Sequence, residues 1–350
     1  MAEPAAGSTE RAASGPGRLR VAVLAGGRSS EHDVSLASAA AVSDGLLAAG
    51  HEPVWIEVGR DGVWRRDGSP MAVVPGEGLP GIDVVFAALH GPYGEDGSIQ
   101  GALETLGVPY VGAGVTASAV CLNKVLFKDV MSALGIPQVR YAGITERSFA
   151  ADPAAALARA AAVGLPSFVK PAHLGSSVGI SKAQDGEQLA AALGVAFAHE
   201  ELAIVEAAAP GIEVECGVLE APEGGQPAAF ASLPGEIVYR GEFYDYEAKY
   251  TPGGMELLIP ARISERAARR VRELAAEVFE AVGCEGLARA DFFVDGEEVL
   301  VNELNTMPGF TPTSVYAKLL DASGVPYPEL VDRLCRLAIA RGRRVRAHTN

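Results

Sequence analysis

Residues 19–33, Leu-Arg-Val-Ala-Val-Leu-Ala-Gly-Gly-Arg-Ser-Ser-Glu-His-Asp, begin with a short apolar run, Leu19 to Ala25, that Gly26-Gly27 closes. A helical pattern follows, with Val34, Ala37, Ala41, Val42, Leu46 and Leu47 on one face, and it stops at Gly50. Further apolar runs at 53–58 and 83–89 alternate with helical segments, and Pro109-Tyr110-Val111 closes this first unit. Strand, glycine turn and helix in this order are the pattern of a doubly wound parallel sheet. In such a sheet ligands bind beyond the carboxyl ends of the strands, where helix amides face the crevice. Gly26 to Asp33 is therefore a candidate site. The alternative is that Ser29 or Ser30 merely caps the helix while Glu31 and Asp33 complement its dipole. GxGxxG is absent, so a nicotinamide oxidoreductase is the weakest reading.

Beyond the first unit the pattern changes. A helix is expected from about Asn123 to Leu134, then a strand at 139–143, an Ala-rich helix at 153–163 and a strand at 167–170. Strands then come in consecutive pairs, 167–171 with 178–182 and 202–206 with 212–219, around a helix at 185–198, which predicts a small α+β domain. A strand at 228–238, a polar stretch from Glu242 to Gly254, a helix from Ser264 (its N-cap) to Val282, a hairpin around Asp295-Gly296 and a final helix complete the chain. The expected division is a tail at 1–18, a Rossmann-like domain at 19–122, a central part at 123–210 and a C-terminal part at 211–345.

The 350 residues carry 29 Lys and Arg against 44 Asp and Glu, a formal charge of −15. That balance argues against nucleic acid or anionic membrane as partner, since each needs a cationic surplus. The four cysteines form no CxxC or zinc-ligand spacing and are expected to be reduced and buried. No apolar run is long enough to span a bilayer and no signal-peptide core opens the chain, so the expected compartment is the cytoplasm.

Chemistry concentrates in five further motifs. Leu89-His90-Gly91-Pro92-Tyr93-Gly94-Glu95-Asp96-Gly97 follows a buried strand. Val169-Lys170-Pro171 with Gly175-Ser176-Ser177-Val178-Gly179 would bring an ammonium, hydroxyls and amides to one anion, without the GxxxxGK[ST] of a P-loop. Glu206 ends one strand and Glu213 begins the next, with Pro210-Gly211 between; such glutamates either bind ribose hydroxyls or are simply solvated. Tyr244 to Tyr250 lies between Gly241 and Pro252-Gly253-Gly254, as a lid or a packed loop would.

The strongest signal pairs Arg289-Ala290-Asp291 with Asn302-Glu303-Leu304-Asn305, followed by Thr306-Met307-Pro308-Gly309. Alternation puts Arg289 and Asp291 on one face, and likewise Glu303 and Asn305. Two carboxylates and an amide are the oxygen donors that Mg²⁺ or Mn²⁺ prefer. The set meets only on a geometric condition. A two-residue Asp295-Gly296 turn would throw Glu303 onto the face opposite Asp291, so an odd-length connection or a bulge is required.

Taken in order, GGRSSEHDVS, LHGPYGEDG, the Asn123-Lys124 helix, VKP with GSSVG, FYDYEAKY, RADFF and NELNTMPGFTPTS resemble the D-alanine:D-alanine ligases of the ATP-grasp superfamily. The resemblance implies an N-terminal doubly wound parallel-sheet domain followed by a two-part ATP-grasp module of α/β and α+β character. It implies that ATP phosphorylates one D-alanine and that the amine of a second attacks the acyl phosphate, for peptidoglycan precursors. Carried onto this sequence, ATP would meet Lys124, Lys170, Ser177, Glu206, Glu213, Lys249 and Asn302. Asp291, Glu303 and Asn305 would hold two Mg²⁺ or Mn²⁺. Glu31 would pair with the first D-alanine's ammonium, His90 would lie near its carboxylate, and Ser314 would hold the second D-alanine. Glu31, Ser176 and Tyr250 would tie a lid shut, and Arg289 with the Gly309 amide would stabilise the oxyanion. The family implies a homodimer. A D-alanyl-D-lactate or D-alanyl-D-serine ligase and an inactive ATP-grasp binding protein remain the alternatives.

Overall fold

The structure, a computed structural model, describes residues 17–175, 178–222, 225, 228–239 and 254–349. The first sheet runs in the order Ser69–Pro70, Trp64–Arg66, Glu52–Val58, Arg20–Gly26, Val84–Ala87. The central strand of its parallel part, Arg20–Gly26, pairs in parallel with both neighbours and is buried from Val21 onward, as a strand covered on both faces must be. An antiparallel edge hairpin, 64–70, extends the expected parallel core. Gly26 turns the chain at a φ of 89°, where a Cβ would lie 2.6 Å from the Val58 carbonyl, so only glycine fits.

The helix that follows, His32–Ala48, begins at Glu31 without a side-chain cap, which corrects the capping alternative for Ser29 and Ser30. Ser29 Oγ accepts from Glu31 N at 3.1 Å, ahead of the helix, and donates to the His90 carbonyl at 2.6 Å, so that it ties the first two loops of the sheet together.

A second sheet, ordered Tyr141–Thr145, Leu202–Ala207, Ser167–Pro171, Ser181–Ala183, is antiparallel throughout. Helices Pro153–Ala161 and Gly186–Phe197 cover it, burying Ala156, Ala160, Leu189 and Leu193 against Val169 and Val205. The expected pairing of 202–206 with 212–219 does not form. Pro210-Gly211 is a crossing between sheets rather than a hairpin turn: Gly211, at a φ of 85°, presses so closely on the third sheet that a Cβ would lie 2.0 Å from the Val294 carbonyl.

That third sheet runs Met255–Leu258, Gly235–Tyr239, Ile212–Glu220, Leu287–Asp295, Glu298–Asn305, with Ala229–Ala231 paired to the far end of Ile212–Glu220. The run at 228–238 is thus two strands, interrupted at Ser232-Leu233-Pro234. Helix Glu265–Ala281 packs Val271, Leu274 and Val278 onto the sheet, and Ser264 Oγ caps it by accepting from Ala267 N at 3.1 Å.

The chain then returns to the first sheet. Val315–Ala322 and Tyr327–Thr349 bury Tyr316, Leu330 and Leu334 in one core with Val23 and Phe86. Phe310 sits at its centre, with ring centroids 5.2 Å from Phe86, 5.7 Å from Tyr316 and 5.6 Å from Tyr327. The Thr306–Gly309 loop is thereby fixed against the loops of the first sheet. Cys121, Cys216, Cys284 and Cys335 are all buried thiols. Among the described residues no helix is long and apolar enough to cross a membrane.

Candidate functional site

The hairpin of the third sheet sets the geometry. It turns through Gly296-Glu297, with Asp295 opposite Glu298, one residue later than expected. This turn too has two residues, so by itself it would put Asp291 and Glu303 on opposite faces. A bulge between Asp291 and Phe292 repairs the parity: Phe292 faces Val301, Asp291 faces Glu303 and Arg289 faces Asn305. The extra residue is Asn302, and the bulge turns both Asn302 and Glu303 into the same cavity.

Two cavities meet at this edge. The first is lined by Glu31, His90, Lys124, Arg289, Asn305 and Gly309 among others. The Glu31 carboxylate lies between two glycine loops: a Cβ on Gly91 would be 2.5 Å from Oε2, and one on Gly175 would be 3.7 Å from it. Both His90 nitrogens are engaged, Nε2 with Ser38 Oγ at 2.9 Å and Nδ1 with the Met307 carbonyl at 3.1 Å. A carbonyl only accepts, so Nδ1 carries the hydrogen. Burial alone would pull the His90 pKa down, but Glu95, Glu31 and the Met307 carbonyl outweigh it and raise it.

Arg289 is held twice. Its Nε is 2.8 Å from Glu215 Oε2, and its Nε and Nη2 each donate at 2.8 Å to Asp291. The same Asp291 accepts from Asn305 Nδ2 at 2.9 Å. These carboxylates override burial and hold the guanidinium firmly charged. Ser314 lies beside Gly309, with its Oγ accepting from Thr311 N at 3.0 Å.

The second cavity is lined by Lys124, Lys170, Glu206, Glu213, Asn302 and Glu303, with Tyr239 and Phe293 at its side. Lys124, Gly175 and Glu303 border both cavities. Lys124 Nζ donates to the Leu174 carbonyl at 2.8 Å and lies 4.0 Å from Glu303 Oε2; burial lowers its pKa despite Glu303. Glu206 divides its oxygens between two lysines, with Oε2 2.5 Å from Lys170 Nζ and Oε1 3.1 Å from Lys128 Nζ. Burial opposes the charge on Glu206, but Lys170 and then Lys128 prevail and hold its carboxyl at about 2. Glu213 Oε1 accepts from the Tyr239 hydroxyl at 2.9 Å.

Lys128 and Glu215 were not among the expected site residues. Each carried a signal: Lys128 is four residues from Lys124 on the same helix, and Glu215 is two from Glu213 on the same strand. Ser176, Ser177, Lys249 and Tyr250, with the rest of the expected lid, lie outside the described residues. Among the described residues no three His, Cys, Asp or Glu form a metal cluster. The oxygen set at the hairpin is two carboxylates and an amide.

A parallel-sheet domain set against two antiparallel sheets, with lysines from one and oxygen donors from the other bordering one cavity, defines an ATP-grasp ligase. The family description "D-ala D-ala ligase N-terminus" matches residues 20–78 and 72–113, and "D-ala D-ala ligase C-terminus" matches 130–336. A D-alanine--D-alanine ligase of Deinococcus radiodurans is 44% identical over 340 residues, 92% of this chain and 99% of that one; one of Mycobacterium tuberculosis is 41% identical over 93% and 96%. The solved D-alanine-D-alanine ligase from Coxiella burnetii superposes with a TM-score of 0.82 at 34% identity, covering 95% of this chain and 97% of its own. The VanG D-Ala:D-Ser ligase from Enterococcus faecalis gives 0.81 at 32%, covering 92% and 99%. The chain belongs to the D-alanine–D-alanine ligase family.

Proposed function

We propose that this site joins two D-alanines into D-alanyl-D-alanine, a peptidoglycan precursor, while ATP becomes ADP and phosphate. The observation that carries this reading is the shared border of the two cavities at Lys124, Gly175 and Glu303, where a phosphoryl donor in one reaches a carboxylate in the other. A carboxylate oxygen of the first D-alanine attacks the γ-phosphorus, and ADP leaves. The amine of the second D-alanine then attacks the acyl carbon, phosphate leaves, and the amine gives up its proton.

Lys124 and Lys170 meet the phosphates, Glu206 and Glu213 face the adenosine end with Asn302, and Glu31 pairs with the first ammonium beside His90. Arg289 and the Gly309 amide receive the oxyanion, and Ser314 holds the second carboxylate. Ser177 and Lys249 join the phosphate contacts, while Ser176 and Tyr250 close over Glu31 to keep water from the acyl phosphate.

Asp291, Glu303 and Asn305 fit two divalent cations, Mg²⁺ or Mn²⁺. Each offers a hard oxygen donor, the kind of ligand such cations prefer. Bound cations would neutralise charge on the β- and γ-phosphates during transfer.

We assign the enzyme to the cytoplasm, where ATP is supplied and thiols stay reduced, and to a homodimer as the family resemblance implies. The division at 19–122, 123–210 and 211–345 is supported by one sheet falling in each part.

The likeness to a D-Ala:D-Ser ligase supports one second reading, in which the second substrate is D-serine. Phosphate release measured with D-alanine alone, with D-alanine plus D-serine or D-lactate, and with L-alanine decides it. D-alanine alone should suffice; release indifferent to D-alanine would refute the assignment.

A further inference from the structure

The helix Lys124–Ala133 sends two lysines toward the second sheet from positions four apart. Lys124 borders both cavities. Lys128 is 1% exposed and borders neither; its ammonium ends 3.1 Å from Glu206 Oε1, while the cavity lysine Lys170 meets Oε2.

A buried ammonium is a poor stabilising device, because an apolar chain of similar length packs as well without losing hydration. What the extra charge changes is the balance at the cavity wall. Glu206 with Lys170 alone would be a neutral pair, presenting little field to a phosphate. Glu206 shared by two lysines leaves one positive charge over, in a site too dry to screen it. Lys128 cannot reach a ligand itself, so any effect on one must pass through Glu206.

We infer that Lys128 is a positioning residue for ATP: by balancing the charge of Glu206 it leaves the charge of Lys170, held on the other carboxylate oxygen, to act on the phosphates. The inference rests on the nucleotide placement proposed above.

The test is the affinity of the full chain for adenosine, AMP, ADP and ATP, measured by calorimetry in the parent, Lys128→Met, Lys128→Arg, Lys170→Met and the double variant Lys128→Met with Glu206→Gln. Lys128→Met should weaken ATP on the order of ten-fold, with a smaller loss for each phosphate removed and none for adenosine. Lys128→Arg, which keeps the charge, should recover most of the affinity. In the double variant, where no carboxylate is left to neutralise Lys170, the loss should no longer grow with each phosphate, whatever Glu206→Gln itself costs in adenosine affinity.

Should Lys128→Met fail to fold, Lys128→Gln, which can still donate to Glu206, carries the same expectation. An equal loss for all four ligands would show a merely structural role and overturn the inference. So would unchanged ATP affinity in Lys128→Met alongside a phosphate-dependent loss in Lys170→Met. Phosphate dependence surviving in both variants would overturn the nucleotide placement, and the inference with it.

Discussion

The two ends of the cleft balance their charges in opposite ways. At the nucleotide end two lysines, Lys128 and Lys170, share one carboxylate, Glu206. At the hairpin end two carboxylates, Glu215 and Asp291, share one arginine, Arg289. Each group is tightly paired, so neither pays the full cost of burial, and the sign in the majority among these named residues differs between the two. In the proposed function the first group would lie toward the phosphates and the second toward the divalent cations, so opposite local charges can flank one cleft although the chain as a whole carries −15.

The largest effect should come from taking negative charge from the hairpin end. Glu303→Gln preserves shape, and turnover measured as phosphate release should fall on the order of a thousand-fold with the fold intact. Near-normal turnover would break the comparison. Arg289→Lys keeps the charge but replaces a planar fork with a point donor that cannot serve Glu215 and Asp291 together. Its kcat should fall on the order of a hundred-fold, while ATP affinity measured separately should hold. Affinity falling in step with kcat would mean that the two ends are not independent.

Acid and base should also act on different parts. The Glu206 carboxyl is held at about 2 against an ordinary 4.5, so its folded form resists protonation more than its unfolded form does. Its contribution to stability is complete above the ordinary value and is lost as the pH falls through the folded one; the loss should come to a few kcal/mol. His90, whose pKa is raised from 6.5, contributes in full below that value and less as the pH rises through its raised one. Unfolding free energies on the acid side should therefore decline less steeply in Glu206→Gln than in the parent. Parallel acid limbs in the two proteins would contradict the lysine pairing of Glu206.

Much of this was legible in the residues. The apolar run at 19–25, its two glycines and the periodic face behind them led to a buried parallel strand and its helix. The parity of Asp291 and Glu303 led to a choice between an odd connection and a bulge, and the bulge at Asn302 is the outcome. Local patterns failed where contacts are distant. Pro210-Gly211 has the composition of a hairpin turn, and only the approach of Val294 shows it to be a crossing between sheets. Lys128 on a helix and Glu215 on an alternating strand look like solvated polar positions, because sequence alone does not say which faces another sheet will cover. Ser29 looks like a cap, and besides accepting from Glu31 N its hydroxyl donates sixty-one residues away, to the His90 carbonyl.

The smallest effect should fall at Tyr239, which borders the proposed nucleotide cavity and donates to Glu213 at 2.9 Å. Tyr239→Phe removes one hydrogen bond and leaves the ring in place. The loss is about 1 kcal/mol, or roughly five-fold in affinity. No net charge changes, so the loss should be the same for adenosine as for ATP, whereas any change among Lys128, Glu206 and Lys170 should grow with each phosphate. If Tyr239→Phe instead weakens ATP more than adenosine, Glu213 belongs with the phosphate-binding group, and the boundary between the neutral and charged parts of this cavity lies elsewhere.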